Sequence, residues 1–230
     1  MTISMLDLAA AEDDRRFSPY CWRIRMALAH KGLDADFQAC RFTQTDKIAS
    51  FDSKTMPAIR DGERMVTDSW KIANYLEDTY PDRPSLFPNG RQEIMLIRYY
   101  ADAVLIPGIA KIVLKDIYDH LADYDQPYFR ESRESRFGIT LEEMHANREK
   151  NTADFRASLA PLRFAVRNQN FVAGDAPAYS DYMVFGQFQW ARAISDYPVL
   201  AADDTIMRDW INRMLDLHDG LARSATGYDV

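Results

Sequence analysis

The pattern of apolar positions changes character near Pro84 and divides the chain in two. Before that point, short apolar runs alternate with short amphipathic ones. Ile3 to Leu8 predicts a strand, then a polar loop to Phe17, then a helix from Pro19 to about Lys31, which Gly32 ends. Asp34 to Arg41 alternates enough for a second strand, and Thr43 to Thr55 predicts a loop with one short helical turn. Pro57 to Arg60 and Met65 to Thr67 flank Asp61-Gly62 and predict a hairpin whose turn is slightly longer than two residues. Ser69 is placed to cap a helix through about Asp78, stopped by Pro81.

Tyr80-Pro81-Asp82-Arg83-Pro84 has the composition of a linker, and the residues beyond it predict helix. Arg91 to about Leu121 is long and amphipathic, with a kink expected at Pro107-Gly108. Thr140-Leu141-Glu142-Glu143 is a capping-box start for a helix that could run through Arg167, bending near Pro161. Gly174 to Pro177 predicts a turn, Ser180 to Ile194 a buried helix, and Asp204 to His218 a last one. The expected fold class is therefore α/β plus all-α. A thioredoxin-like domain over residues 1–84 is followed by a helical bundle over 91–230.

A chain of 230 residues with 47% hydrophobic and 27% charged residues has the make-up of an ordinary globular protein. The net charge of −7 argues against nucleic acid as a partner, while a local basic pocket for a small anion stays open. Cys21 and Cys40 are too few for a disulfide framework, and the four histidines are scattered, so no metal site is expected. Glu12, Asp13, Asp14 and Arg15 interrupt any signal-peptide core, and no run is apolar enough to span a membrane. The expected setting is a reducing cytoplasm.

Ser18-Pro19-Tyr20-Cys21-Trp22-Arg23 carries the most chemistry. Ser is a preferred N-cap and Pro a preferred first helical residue, so a hydroxyl stands where the free N–H groups and the positive dipole end suit an anion such as a thiolate. Pro-Tyr-Cys after a strand is similar to the Cys-Pro-Tyr-Cys motif of glutaredoxins, with Ser in place of the attacking Cys. By itself Ser18 reads equally well as a plain helix cap.

With this motif, the hairpin proline and Asp68-Ser69 together, the chain resembles the cytosolic glutathione transferase superfamily. Within it, Ser-Pro-Tyr-X-Trp-Arg, Ala27 to Gly32, Asp68-Ser69-Trp70 and Tyr80 to Pro84 resemble the bacterial β-etherases of lignin catabolism and their fungal, FuA-like relatives. Ser132-Arg133-Glu134, Thr140-Leu141-Glu142, Gly174-Asp175 before Asp181-Tyr182, and Arg208-Asp209-Trp210 extend the likeness over nearly the whole chain. One position and one loop are among the departures from the pattern. Ala178 stands where the superfamily usually has a capping Ser or Thr before its buried Asp, here Asp181, and Ala9 to Arg16 makes an unusually charged loop.

The resemblance implies a Ser-type transferase that uses glutathione as co-substrate, without a metal, as a homodimer. It implies that Ser18 donates its O–H to the glutathione sulfur, and that Cys21 is a silent packed neighbour. Pro57 is expected to be cis, presenting the backbone of Met56 to the glutathione peptide. Asp68 and Ser69 would hold the γ-glutamyl end, and Lys54, or failing it Lys47, the glycine carboxylate. Tyr20, Trp22, Ile109, Tyr118 and Tyr197 are the candidates for a second-substrate pocket that takes a small aromatic electrophile. The expected reaction is cleavage of a β-aryl ether to a glutathione thioether and a phenol. The alternatives are a maleylacetoacetate isomerase-like or broad-range transferase, a thiol–disulfide oxidoreductase, which Ser18 disfavours, and a non-catalytic ligand-binding member of the fold.

Overall fold

A computed structural model describes residues 2–229. The first part runs β1 (Ile3–Leu8), α1 (Pro19–His30), β2 (Ala35–Cys40), α2 (Thr45–Ala49), β3 (Ala58–Asp61), β4 (Arg64–Thr67) and α3 (Ser69–Thr79). Its four strands lie in the order β2-β1-β3-β4, β1 parallel to β2 and the other two pairs antiparallel. Register brings one end of this sheet into focus. Leu6 pairs with Ala58, and Ala58 with Thr67. The residues just beyond those pairs, Leu8, Met56-Pro57 and Asp68-Ser69, therefore gather at the same edge as the start of α1. The thioredoxin-like expectation holds.

The hairpin turn is tighter than expected. Asp61 pairs with Arg64, leaving Gly62 and Glu63 as a two-residue loop, and Gly62 takes φ +58°, which glycine adopts without steric cost. The Met56–Pro57 bond is cis, as expected. The cap of α3 is Asp68 rather than Ser69: its carboxylate accepts from the amides of Trp70 and Lys71, at 3.1 and 3.0 Å.

The second part is helical: α4 (Met95–Tyr100), α5 (Ile106–His120), α6 (Gln126–Phe137), α7 (Leu141–Ala146), α8 (Arg148–Ser158), α9 (Ala160–Arg167), α10 (Tyr179–Ile194) and α11 (Thr205–Gly220). The kink expected at Pro107-Gly108 takes the form of a π-helical segment, Ala101–Leu105, joining α4 to α5. The wider turn absorbs the carbonyl that the Pro107 ring would otherwise strike. The helix expected from Thr140 to Arg167 does start with its capping box, Thr140 and Glu143 exchanging bonds, but it breaks into α7, α8 and α9 at Asn147 and Leu159. The backbone of α11 leaves helical geometry at Leu217, His218 and Asp219.

All sixteen residues of α10 are buried, which places this helix at the centre of the molecule. It packs along α1 across the seam between the two parts. Gly186 makes that approach possible: a Cβ there would sit 2.5 Å from the carbonyl oxygen of Pro19. At the same seam the Tyr182 hydroxyl stands between two histidines. His30 Nε2 lies 3.0 Å from the Ser85 carbonyl, which can only accept, so its Nδ1 accepts from Tyr182 at 2.7 Å and His218 donates to Tyr182 at 3.2 Å. Asp181 anchors the N-terminus of α10. Its carboxylate accepts from the amides of Val172, Ala173 and Ala178 and from the Trp210 indole, so half of the capping arrangement survives although Ala178 offers no hydroxyl.

Candidate active site

A cleft of about 290 Å³ opens between the sheet edge and the helical part. On its sheet side lie Ser18, Tyr20, Lys54 and Met56; on its helical side lie residues of α5, α6 and α10. Ser18 is the N-cap of α1, extended in backbone and 4% exposed. Its Oγ accepts from the Cys21 amide at 3.2 Å. That bond occupies a lone pair and leaves the O–H free to donate into the cleft. Such a cap stabilises the helix by about 1 kcal/mol, while the free hydroxyl proton and the dipole end together make a seat for an anion.

Cys21 is fully buried, its Sγ 4.0 Å from the Leu6 carbonyl. Burial first, and buried Asp7 beside it, push its thiol well above the usual range, so it stays protonated. Asp7 is itself balanced by Arg25 at 2.7 Å and Arg16 at 3.6 Å.

The other expected site residues separate into two groups. Pro57 is buried under the sheet edge, and Asp68 and Ser69 lie beside it at the head of α3, next to the cleft lining rather than in it. The Ser69 hydroxyl has no hydrogen-bond partner among the described residues. Lys54 is exposed on the cleft wall, without an ion pair among the described residues. Lys47 is turned away, its Nζ donating to the Ala39 carbonyl at 2.6 Å.

Of the five residues expected to wall the second pocket, only Tyr20 does. It stands half-exposed at the mouth, with the Arg23 guanidinium 4.6 Å over its ring and Arg23 in turn held by Asp102 at 2.8 Å. Trp22 is fully buried beneath α1. Its indole N–H donates to the Arg16 carbonyl at 2.8 Å and so pins the charged loop in front of Ser18. Ile109 is a core residue on the inner face of α5. Tyr118 lies outside the cleft, stacked beneath Arg130 at 4.5 Å, and Tyr197 lies beneath Arg148 in a separate crevice between α10 and α11.

The wall is instead built by α6 and by Phe42 after β2. Phe42 packs on Tyr128 and Phe129, with ring centroids 6.1 and 5.6 Å apart. Asp125, fully buried at the head of α6, fixes this contact by accepting from the amide and hydroxyl of Thr43 at 2.9 and 2.7 Å. Beyond Phe129 the same helix brings Arg133, Arg136 and Phe137 to the cleft. Charge at two of every three positions from Arg130 to Arg136 hid α6 from hydropathy patterning. Pro127 in the first turn and Gly138 just after the end, at φ +72°, were the signals that mark it as a helix.

Residues 96–217 match the family model described as glutathione S-transferase, C-terminal domain, and residues 14–84 that described as the N-terminal domain. The chain belongs to the glutathione S-transferase superfamily. Among curated proteins it is similar to glutathione S-transferase Z2 of Arabidopsis thaliana, 31% identical over 106 residues, which are 44% of this chain and 47% of that one. The chain spans about half the length of the curated relatives it matches. Among solved structures it resembles the glutathione transferase GSTFuA3 of Phanerochaete chrysosporium, with a TM-score of 0.78 and 25% identity over 100% of this chain and 99% of that one. It shares the fold of CsGST83044 of Ceriporiopsis subvermispora, crystallised in complex with glutathione, with a TM-score of 0.83 and 19% identity over 95% of this chain and 98% of that one. Among the described residues no helix is long and apolar enough to cross a membrane.

Proposed function

We propose that the cleft binds glutathione and that Ser18 activates its sulfur for attack on an aromatic electrophile. The observation that carries this reading is the position of Ser18. It caps α1 with its lone pair engaged and its proton free, at the wall of a cleft deep enough for a second molecule. A thiolate there gains the Ser18 hydrogen bond and the helix dipole, both of which favour the charged form and lower the thiol pKa. The backbone of Met56 would pair with the glutathione peptide. The Ser69 hydroxyl, with Asp68 beside it, would take the γ-glutamyl end, and Lys54 the glycine carboxylate.

The reaction is the cleavage of a β-aryl ether. The thiolate attacks the carbon that bears the aryl-ether oxygen, a C–S bond forms and the C–O bond breaks. Its electron pair leaves on the phenoxide, which takes up a proton equivalent to the one the thiol lost. Phenoxide is a fairly good leaving group, so activation of sulfur and alignment supply what the step needs. The test incubates the protein with glutathione and each enantiomer of a β-aryl ether and looks for thioether and phenol by mass spectrometry. Tight aromatic binding with no thioether from a broad panel would make the protein a ligand carrier.

The plant relatives, one of them a zeta class glutathione S-transferase of Euphorbia esula, favour a second reading as an isomerase of the maleylacetoacetate type. In that reaction the thiolate adds to a conjugated double bond and leaves again after rotation. Glutathione-dependent isomerisation of a cis-conjugated dicarboxylate, without a stable thioether, would select it. A homodimer goes with either reading. Leu96 and Tyr99 on α4, 77% and 59% exposed, lie in the half that would meet a second copy, and light scattering should give the mass of two chains.

A further inference from the structure

The cleft is opposite in sign to the molecule that holds it. The chain carries a net charge of −7, yet the charged side chains on the cleft wall are Lys54, Arg133 and Arg136, with no carboxylate among them. Lys54 belongs to the sheet side with Ser18. Arg133 and Arg136 belong to α6, across the cleft, where the glutathione reading leaves them without a task.

Arg133 is the better defined of the two. Its guanidinium lies 4.7 Å from the Phe129 ring and 5.5 Å from the Phe42 ring, and its one hydrogen bond to a side chain goes to the neighbouring Ser132 hydroxyl at 2.8 Å. No carboxylate lies within ion-pair distance among the described residues, although Arg130 on the same helix has both Glu134 and Glu142. A guanidinium held against aromatic rings with no carboxylate partner has N–H groups to offer a planar, two-oxygen acceptor. Burial lowers the basicity of Arg133, Tyr128 opposes this, and the nearby positive charge of Arg136 adds to it. Arg133 is thus partly dry, Arg136 beside it is exposed, and neither has a carboxylate within ion-pair distance among the described residues, an arrangement that an incoming anion relieves. Along the same cleft the buried indole N–H of Trp190 also lacks a partner among the described residues.

We propose that the electrophile is an aromatic acid, its ring against Phe42, Tyr128 and Phe129 and its carboxylate on Arg133 and Arg136, at the end away from the carbon that meets sulfur. This rests on the glutathione reading of Ser18. It adds a negative charge to the aromatic electrophile proposed above.

The test uses 4-chloro-3,5-dinitrobenzoate and its amide as electrophiles. In both, the thiolate sulfur bonds to the carbon bearing chlorine and chloride leaves with the electron pair, so the two differ at the distal group. Each kcat/KM is divided by the uncatalysed rate with glutathione, which removes the intrinsic difference in reactivity. The acid should be preferred by about tenfold or more, as expected for a charge-assisted pair of hydrogen bonds. Arg133→Gln should bring that ratio toward one, and Arg133→Lys should keep part of it, since it restores the charge but not the fork. A wild-type ratio near one overturns the proposal. So does an Arg133→Gln variant that slows both electrophiles alike, which is a structural effect, or one that raises the KM for glutathione alone. If neither electrophile yields thioether, the transferase reading fails instead. Calorimetry with unreactive 3,5-dinitrobenzoate and 3,5-dinitrobenzamide then decides the anion site separately. A preference for the benzoate that Arg133→Gln abolishes keeps it, and equal binding of the two removes it.

Discussion

The Tyr179 phenol, on the first turn of α10, donates a 2.9 Å hydrogen bond to the carbonyl of Ser69, the first residue of α3. Both groups are buried, so the bond ties the helical part to the turn proposed to hold the γ-glutamyl end of glutathione. Burial raises the Tyr179 pKa far above neutrality and keeps the phenol a donor at any working pH. Tyr179→Phe keeps the ring and removes one hydrogen bond, which should cost about 1 kcal/mol in chemical denaturation. It should also raise the KM for glutathione more than it lowers kcat. An unchanged KM would detach this turn from glutathione binding.

Ser18 and Lys54 should separate in steady-state kinetics. Ser18→Ala removes the proposed donor to sulfur but leaves the rest of the proposed glutathione site. It should lower kcat by about tenfold to a hundredfold while KM for glutathione moves much less. Lys54→Ala should do the reverse, because a carboxylate contact far from sulfur binds ground state and transition state alike. A thiol titration of bound glutathione, followed by thiolate absorbance, should show the pKa rise in Ser18→Ala only.

Gly186 is held by sterics rather than by helix propensity, which would favour alanine by about 1 kcal/mol. The Cβ of Gly186→Ala would meet the Pro19 carbonyl at 2.5 Å, and backbone on both sides leaves little room to yield. Overpacking of this kind costs about 1–3 kcal/mol. Since Pro19 follows Ser18, the strain falls on the active helix terminus, and turnover should drop with stability. Wild-type values for both would show that α10 does not press on α1.

Asp181 gives the pH dependence of stability a sign. Burial raises its carboxyl to about 6, against the lowering effect of the amides of Val172, Ala178 and Ala173 and of the Trp210 indole. The folded state therefore holds this proton more tightly than the unfolded chain does. The contribution is fully present below about pH 4, the unfolded value, and is lost as pH rises through 6. Relative to Asp181→Asn, the wild type should gain about 1 kcal/mol in urea denaturation on going from pH 7 to pH 5. A difference that does not change with pH would mean that Asp181 titrates alike in both states.

The sheet edge was legible in the sequence because local chemistry sets it. A Ser-Pro pair starts α1, a glycine ends it, and Asp61-Gly62 sets the hairpin that brings Met56-Pro57 beside Asp68-Ser69. The cleft wall was not legible, for two physical reasons. Large apolar residues at helical spacing belong as readily to a core, as Ile109 and Trp22 do, as to a ligand wall. The helix that does form the wall has Phe129 as its buried residue and Arg130, Glu131, Arg133, Glu134 and Arg136 around it, so no apolar stripe announces it. In the expected Thr140–Arg167 helix, the break at Leu159 falls where Pro161 marked a bend, since proline suits the first turn of a new helix, while the break at Asn147 had no such mark.

Because α6 commits one side chain to the core, its other positions are free to drift. Substitutions at partly exposed sites of this kind cost about half a kcal/mol or less, so Tyr128, Arg133, Arg136 and Phe137 could be exchanged without endangering the fold. Ser18 has no such latitude, being wedged between the sheet edge and a helix buried on every side. The molecule therefore sets a fixed hydroxyl at a helix start against a wall that is free to vary. On the function proposed above, selection can try new electrophiles along α6 while the activation of sulfur is inherited unchanged.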